Sequence, residues 1–329
     1  MRMMIYLLYV VVATAVVWFS ILASRYIDMI DRTTKLSGAF LGGVLLSAIT
    51  SLPELFTSFS ATILIDSPSL CIGNILGSNL FNFGMLAVVI LLYIKGFSSA
   101  QLSRSHSIVV LLLFMMYSAV ALNWQYMSDD NIVWAANGIP YIYISITSLI
   151  VIALYAFSVK YLASDNGCEC CKDEACEAVT LSRRAIIVRF VAASIGIIIA
   201  SVILTYITDE ISVRLNLGSG LAGALFLGVA TSLPEVTSTI SLFRMRNFNI
   251  AFGNIAGSNV FNFFVLAIAD LLYTGGSVYH FGDAKVINLT VFGLLSTSAV
   301  YLLLRFRSPW IKALMSLVMV ACYLAFLMV

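Results

Sequence analysis

The segment TSLPE at residues 50–54, followed by GNILGSNLFNF at 73–83, occurs a second time as TSLPE at 231–235 and GNIAGSNVFNF at 253–263. Nine of the eleven residues in the later part of the motif are identical between the copies. Each copy places one glutamate, Glu54 or Glu235, in an otherwise apolar stretch. A charge at the centre of a bilayer costs roughly 3 kcal/mol on insertion scales. The repeated glutamates therefore indicate a functional site.

The composition is that of a membrane protein. Hydrophobic residues make up 61% of the 329, charged residues only 10%, and the mean hydropathy is +1.02. Soluble domains are roughly half apolar and a quarter charged. Apolar runs long enough to cross a bilayer lie near 3–23, 38–64, 69–94, 105–123, 139–161, 185–207, 217–243, 249–273, 284–304 and 310–328. We predict an all-α polytopic membrane protein with ten transmembrane helices.

The basic residues predict its orientation. With the N-terminus outside, fifteen of the eighteen Lys and Arg residues fall on the inner side, and Arg2, Arg214 and Lys285 fall outside. Cytoplasmic loops carry such an excess of positive charge. We therefore expect a multi-pass protein of the cell membrane, with both termini outside and the central loop in the cytoplasm. Because the first apolar run is full length, we expect no cleavable signal peptide.

The repeated motif divides the chain into two halves. Residues 1–162 form a first five-helix repeat with its motif at 47–83, and 185–329 form a second with its motif at 228–263. A cytoplasmic linker loop, 163–184, joins them. An odd number of spans in each half turns the two copies in opposite directions across the membrane. Inverted repeats of this kind, with a site near the midplane, are typical of secondary transporters.

Helical spacing places the polar motif residues on common faces, since residues three or four apart lie on one side of a helix. Small residues four apart, Gly73 and Gly77, allow a neighbouring helix to approach closely. The oxygen-bearing side chains are, in the first copy, Ser47, Thr50, Ser51, Glu54, Ser58, Asn74, Ser78 and Asn82, and in the second copy, Thr231, Ser232, Glu235, Thr239, Asn254, Ser258 and Asn262.

A proline, Pro53 or Pro234, precedes each glutamate. A missing N–H and a ring clash interrupt a helix and free carbonyls about one turn earlier, here around Ser47 and Gly228. The inverted copies bring these oxygens and both carboxylates to one place, and oxygen ligands of this kind suit calcium and sodium. Neither motif contains Cys or His, so a transition-metal site would lack its usual ligands. We find no catalytic constellation, and expect neither an enzyme nor a cofactor.

The motif pair TSLPE and GNxxGSNxFN, present twice in a ten-helix chain, resembles the α-repeats of the sodium/calcium exchanger family, prokaryotic type, within the cation/calcium exchanger superfamily. The resemblance implies an antiporter that exchanges calcium for sodium by alternating access, in the direction of calcium efflux, as the first and sixth helices slide against the rest. Its bound ions would be the transported Ca²⁺ and Na⁺. Its surroundings would be membrane lipid, with no nucleic-acid partner, and it would function as a monomer.

The resemblance also implies roles for individual residues. Glu54 and Glu235 would be the central carboxylate ligands, and Asn82 and Asn262 would face each other across the site. Hydroxyl or carbonyl oxygens would come from Thr50, Ser51, Ser78, Thr231, Ser232 and Ser258.

Two residues depart from symmetry or from the family pattern. Structurally described archaeal exchangers and potassium-dependent relatives carry aspartate where this chain has Asn262. Two carboxylates balance one calcium or two sodium ions, so the stoichiometry stays open and potassium dependence is disfavoured. Asp270, where the first copy has Ile90, is interpreted as a helix-end group near the outer surface, with a proton-linked or ion-path role as the alternative.

Several alternatives remain open at this point. The coupling ion could be the proton, or the chain could be a calcium-sensing or channel-like membrane protein, although internal pseudo-symmetry favours transport. The two glutamates could be protonated packing residues. Asn79 and Asn259, off the polar stripe, are expected to bond across helices without touching an ion. The central loop could hold a soft metal or be an ordinary acidic loop, because it carries Cys168, Cys170, Cys171 and Cys176.

Overall fold

The computed structural model describes residues 2–31, 44, 46–126, 131–134, 142–164, 183–279 and 284–328. Within these ranges the chain is almost wholly helical, which confirms the predicted all-α membrane fold of two inverted repeats. Nine of the helices described there are long and apolar enough to cross a membrane. Of the remaining predicted span, 38–64, the described residues from 47 onward form three short helical segments.

The first half contains one feature that the sequence did not predict, a β-hairpin. Strands β1 (Asn131–Trp134) and β2 (Ile142–Ser145) pair antiparallel, with Asn131 opposite Ser145 and Trp134 opposite Ile142. The predicted fifth span, 139–161, is therefore wrong at its start, because a short apolar run does not distinguish a strand from a helix. The elements are α1 (Arg2–Asp31), α2 (Ser47–Thr50), α3 (Leu52–Phe59), a π-helix (Ser60–Leu64), α4 (Pro68–Leu92), α5 (Ile94–Ser99), α6 (Ser105–Tyr126), β1 (Asn131–Trp134), β2 (Ile142–Ser145) and α7 (Ile146–Ser164).

The second half begins with a helix longer than its predicted span, 185–207. Asp209 and Glu210 lie in its last turns, where Glu210 forms an exposed pair with Arg214 four residues later at 2.6 Å. Such pairs stabilise a helix end. The elements are α8 (Arg183–Leu215), α9 (Ser219–Ala222), a π-helix (Gly223–Leu227), α10 (Gly228–Arg244), α11 (Phe248–Leu272), α12 (Ala284–Arg305) and α13 (Pro309–Met328).

Helices α4 and α11, which carry the two GN segments, form the centre of the molecule. They are mostly buried, as expected of helices enclosed by others, and each carries a polar stripe of asparagine and serine. A Cβ at Gly73 would collide with the carbonyl oxygen of Gly220, and one at Gly77 with the Cα of Ala224. The glycines of the first motif therefore allow α4 to approach the backbone of the second half closely.

Helices α1 and α8 pack along each other beside this centre. Ala23 and Ile197 are buried between them, with Phe19 packed against this cluster. The Tyr9 hydroxyl of α1 donates to the carbonyl of Phe226 at 2.7 Å, which links α1 to the π-helix that precedes α10. Much of the remaining surface of both helices is apolar and exposed.

Candidate cation-binding site

The two glutamates lie on α3 and α10, and both side chains are fully buried. Pro53 stands in the first turn of α3, just after the helix is interrupted at Ser51, and the first turn is where a missing N–H is tolerated. Pro234 lies inside α10, which continues through it. The expectation that both prolines interrupt a helix is therefore wrong for Pro234. A proline removes one donor only, and a membrane helix whose neighbours satisfy the freed backbone can absorb that loss.

Serine hydroxyls join each carboxylate to the opposite repeat. Ser51 donates to Glu235 Oε1 at 2.8 Å, and Ser232 donates to Glu54 Oε1 at 3.1 Å. The two serines occupy the same position in the two TSLPE copies. The crosswise bonds bring both glutamates into one site between the repeats.

Further hydroxyls lie around Glu235. The hydroxyl of Ser258 is 3.4 Å from Glu235 Oε1, and Thr50 Oγ1 is 3.5 Å from both Ser258 Oγ and Asn254 Oδ1. Thr231 is equally buried but lies beside Glu54, and it donates to the carbonyl of Leu227 at 2.9 Å. Helices α2 and α11 thus supply neutral oxygens beside the carboxylate.

Two backbone carbonyls complete the set of oxygens. Ser78 donates to the carbonyl of Gly228 at 3.2 Å, and Ser258 lies 3.5 Å from that of Ser47. The Ser47 carbonyl also accepts the N–H of Ser51 at 3.0 Å, so the expectation that it is free is wrong. The Ser47 carbonyl also accepts the Thr50 hydroxyl at 3.2 Å, so a cation bound at either carbonyl would replace hydroxyl donors.

Asn79 and Asn259 bond across α4 and α11, as expected, but the partners of Asn82 and Asn262 differ from the prediction. Asn82 Nδ2 donates to Asn259 Oδ1, and Asn262 Nδ2 donates to Asn79 Oδ1, both at 2.9 Å. Asn82 and Asn262 thus bond to each other's neighbours in the motif and not directly to one another. The occurrence of Asn79 and Asn259 at the same place in both copies was the one signal in the sequence for this arrangement.

Several buried oxygens of the site accept no hydrogen bond from any described group. They are Glu54 Oε2, Glu235 Oε2, Asn74 Oδ1, Asn82 Oδ1 and Asn262 Oδ1. An unsatisfied buried polar group costs about 1–3 kcal/mol, and a cation among these oxygens would remove that cost. Carboxylate, amide and hydroxyl oxygens are ligands of hard cations such as Ca²⁺. In the described part of the chain, no group of three His, Cys, Asp or Glu side chains could hold a metal ion.

A comparison with protein families agrees with this geometry. The family model described as sodium/calcium exchanger protein matches residues 4–163 and 185–329. The chain belongs to the sodium/calcium exchanger family. Members of the family are transporters and not catalytic enzymes, and membership supports a multi-pass antiporter of calcium against another cation, without saying which cation.

Two curated relatives illustrate the range of the family. Inner membrane protein YrbG of Escherichia coli is 26% identical over 256 residues, which are 76% of this chain and 74% of the relative. The sodium/calcium exchanger MaX1 of Methanosarcina acetivorans is 30% identical over 116 residues, 35% of this chain and 32% of the relative.

Two solved structures share the fold. The sodium-calcium exchanger NCX_Mj, soaked with Na⁺ and Sr²⁺, superposes with a TM-score of 0.59 at 20% identity over 98% of this chain and 96% of that one. The H⁺/Ca²⁺ exchanger CAX superposes with a TM-score of 0.64 at 16% identity over 98% of this chain and 87% of that one. At these identities the likeness establishes the fold alone.

Asp270 lies near the end of α11, as expected, but its side chain is only 1% exposed. Its Oδ1 accepts from Ser277 Oγ at 2.9 Å and from the N–H of Val278 at 2.8 Å, and its Oδ2 accepts from Ser148 Oγ at 2.7 Å. The carboxylate is therefore a buried anchor, not a surface group. It ties the segment after α11 to the start of α7.

The cysteine cluster Cys168, Cys170, Cys171 and Cys176 lies outside the described residues. The two interpretations of this cluster, a soft-metal site and an ordinary acidic loop, therefore both stay predictions. Cys71 and Cys322 are buried, as expected of small apolar side chains.

Proposed function

We propose that this chain is a secondary antiporter that exchanges calcium for sodium by alternating access, with calcium leaving the cell. One observation carries the proposal. Glu54 and Glu235 come from opposite repeats, are fully buried, and each have one carboxylate oxygen that accepts from no described residue. Two carboxylates balance either one calcium or two sodium ions. A site that is neutral with either load favours competition between the ions, which is what exchange requires.

The two carboxylates carry the charge of the proposed site, and neutral oxygens complete the coordination. Calcium takes about six to eight oxygen ligands in flexible geometry, more than two glutamates can supply. The proposed neutral ligands are the side chains of Thr50, Ser51, Ser78, Asn82, Thr231, Ser232, Ser258 and Asn262, and the carbonyls of Ser47 and Gly228.

Alternating access is supported by where the site lies. Its residues come from α2, α3, α4, α10 and α11, whereas α1 and α8 pack along each other and against α2, α3 and α10 without supplying any of the proposed ligands. Movement of this pair past the other helices would expose the site to one side of the membrane at a time. With two carboxylates only, a third sodium ion would cross as uncompensated charge.

The orientation and the assembly state belong to the same proposal. The excess of basic residues on one side supports both termini outside and the central loop in the cytoplasm. Because both half-sites lie in one chain, a monomer can perform the exchange. Calcium and sodium ions are then the only small partners, with lipid around the helices.

Proton coupling is a second candidate. Two buried carboxylates without basic partners in the site could carry protons in place of sodium, and the fold is also that of the solved H⁺/Ca²⁺ exchanger CAX. The geometry does not separate a proton from a sodium ion, so the coupling ion requires a transport measurement.

The experiment uses the purified chain in proteoliposomes that hold membrane potential at zero. Uptake of radiolabelled calcium is measured with an outward sodium gradient, and then with an outward proton gradient. We expect uptake that follows the sodium gradient. Uptake that ignores sodium and follows the proton gradient would replace sodium with the proton as the coupling ion.

Two variants control this measurement. Glu54→Gln combined with Glu235→Gln removes both carboxylates and should abolish uptake with either gradient. Glu210→Gln removes one carboxylate from an exposed helix pair and should leave uptake unchanged. Full uptake by the first variant would refute the site.

A further inference from the structure

Four asparagines form a closed hydrogen-bonded group between α4 and α11, which we call the asparagine clasp: Asn79, Asn82, Asn259 and Asn262. The side chain of Asn79 donates to the backbone carbonyl of Asn259 at 3.2 Å, and that of Asn259 donates to the backbone carbonyl of Asn79 at 3.1 Å. The amide nitrogens of Asn82 and Asn262 then donate to Asn259 Oδ1 and Asn79 Oδ1. All four side chains are fully buried.

The clasp fixes the direction in which each amide faces. A backbone carbonyl can only accept, so Asn79 must turn its NH₂ group toward the carbonyl of Asn259. The Oδ1 of Asn79 then faces Asn262, which must present its own NH₂ group. The amide oxygen of Asn262 is thereby directed away from Asn79. With the repeats exchanged, Asn259 orients Asn82 in the same way.

The two amide oxygens that receive no donor within the clasp belong to the proposed cation site. Asn82 Oδ1 and Asn262 Oδ1 are buried and accept no hydrogen bond from the described residues. They lie one helical turn beyond the serine of each GSN segment, on the same helix faces. An amide turned by half a rotation would present NH₂, whose partial positive charge repels a cation.

We propose that Asn79 and Asn259 are positioning residues that make Asn262 and Asn82, respectively, offer oxygen to the bound cation. The inference rests on the proposed cation site and adds a crosswise rule to it. Each positioning residue controls the amide of the other repeat. A carboxylate has two equivalent acceptors and needs no such control, since neither end carries a donor when it is ionised.

The test is a double-mutant cycle on the full chain in detergent, with calcium binding measured by isothermal titration. Asn79→Ala is made in the wild-type background and in the Asn262→Asp and Asn82→Asp backgrounds. In wild type we expect a loss of calcium affinity of about tenfold, the size expected for one lost partner of a buried polar group. In the Asn262→Asp background the loss should shrink to about twofold or less, because the carboxylate needs no orientation.

The Asn82→Asp background is the matched control. It adds the same charge to the site, but the clasp pairs Asn82 with Asn259 and not with Asn79. We expect the tenfold loss to persist there. In the mirror set, Asn259→Ala is made in the Asn82→Asp and Asn262→Asp backgrounds. Here the loss of calcium affinity should shrink with Asn82→Asp and persist with Asn262→Asp.

Equal losses in all three backgrounds would indicate a packing role and overturn the proposal. The proposal is also overturned if Asn79→Ala prevents folding, as judged by a thermal melt, and Asn262→Asp does not restore it. If wild-type protein binds no calcium, the proposed function fails instead. If it binds calcium but ignores sodium in transport, only the coupling ion changes, and the crosswise rescue is still expected.

Discussion

Glu54 and Glu235 occupy equivalent positions in the two repeats, yet they are bonded unequally. Glu235 Oε1 accepts from Ser51 and has Ser258 at 3.4 Å, whereas Glu54 Oε1 accepts from Ser232 at 3.1 Å. Ser78, the equivalent of Ser258, donates instead to a backbone carbonyl. The carboxylate of the first repeat therefore has fewer close serine hydroxyls around it.

The backbone around the two glutamates also differs between the repeats. The helix before Glu54 is interrupted at Ser51, while α10 runs through Pro234 to Arg244. Two nearly identical motifs thus adopt two conformations within one molecule. Under the proposed alternating access, an exchange of these two conformations between the repeats would take the site from one access state to the other.

The largest effects are expected from the carboxylates taken singly. Glu54→Gln or Glu235→Gln removes half of the negative charge that balances calcium, and we expect calcium affinity to fall by about 100-fold or more, as for an uncompensated buried charge. Isothermal titration with each variant measures this. A variant that keeps wild-type affinity would mean that only one repeat holds the ion.

The serine donors should separate the two half-sites. Ser232→Ala removes the hydroxyl bonded to Glu54, whereas after Ser51→Ala the Glu235 carboxylate still has Ser258 nearby. We expect calcium affinity to fall by about tenfold for Ser232→Ala and by about threefold for Ser51→Ala, within the range for hydrogen bonds to charged groups. If titrations show a larger loss of calcium affinity for Ser51→Ala than for Ser232→Ala, the two glutamates do not differ in the way proposed.

The prolines should differ in transport rate. Pro53→Ala restores an N–H at the interruption, and we expect a fall of roughly fivefold in exchange rate, because the helix loses its break. Pro234→Ala changes a helix that is already continuous and should alter the rate by less than about twofold. Calcium uptake at saturating calcium compares the two. Equal effects would argue that the interruption has no role in movement.

The smallest effect on calcium handling is expected at Asp270, the acid without a counterpart in the first repeat. Asp270→Asn weakens the anchor formed with Ser148, Ser277 and Val278, so the protein should unfold several degrees earlier in a thermal melt. The calcium concentration for half-maximal uptake should stay within about twofold of wild type. A larger shift with unchanged melting would instead make Asp270 part of the ion path.

Much of the site followed from the spacing of the repeated motif. A period of about 3.6 residues places Thr50, Glu54 and Asn82 on inner faces whatever surrounds them, and an odd number of spans inverts the copies. The partners of Asn82 and Asn262 did not follow, because the direction of an amide depends on donors and acceptors from another helix. The continuity of α10 through Pro234 likewise depends on neighbouring elements and not on local sequence.

The bond between Tyr9 and the carbonyl of Phe226 has a kinetic consequence. It links α1 to the π-helix ahead of α10, and a single hydrogen bond contributes only about 1 kcal/mol net. A bond this weak adds little to the barrier for moving α1 away from the π-helix. It can favour one arrangement of α1 without trapping the molecule in it.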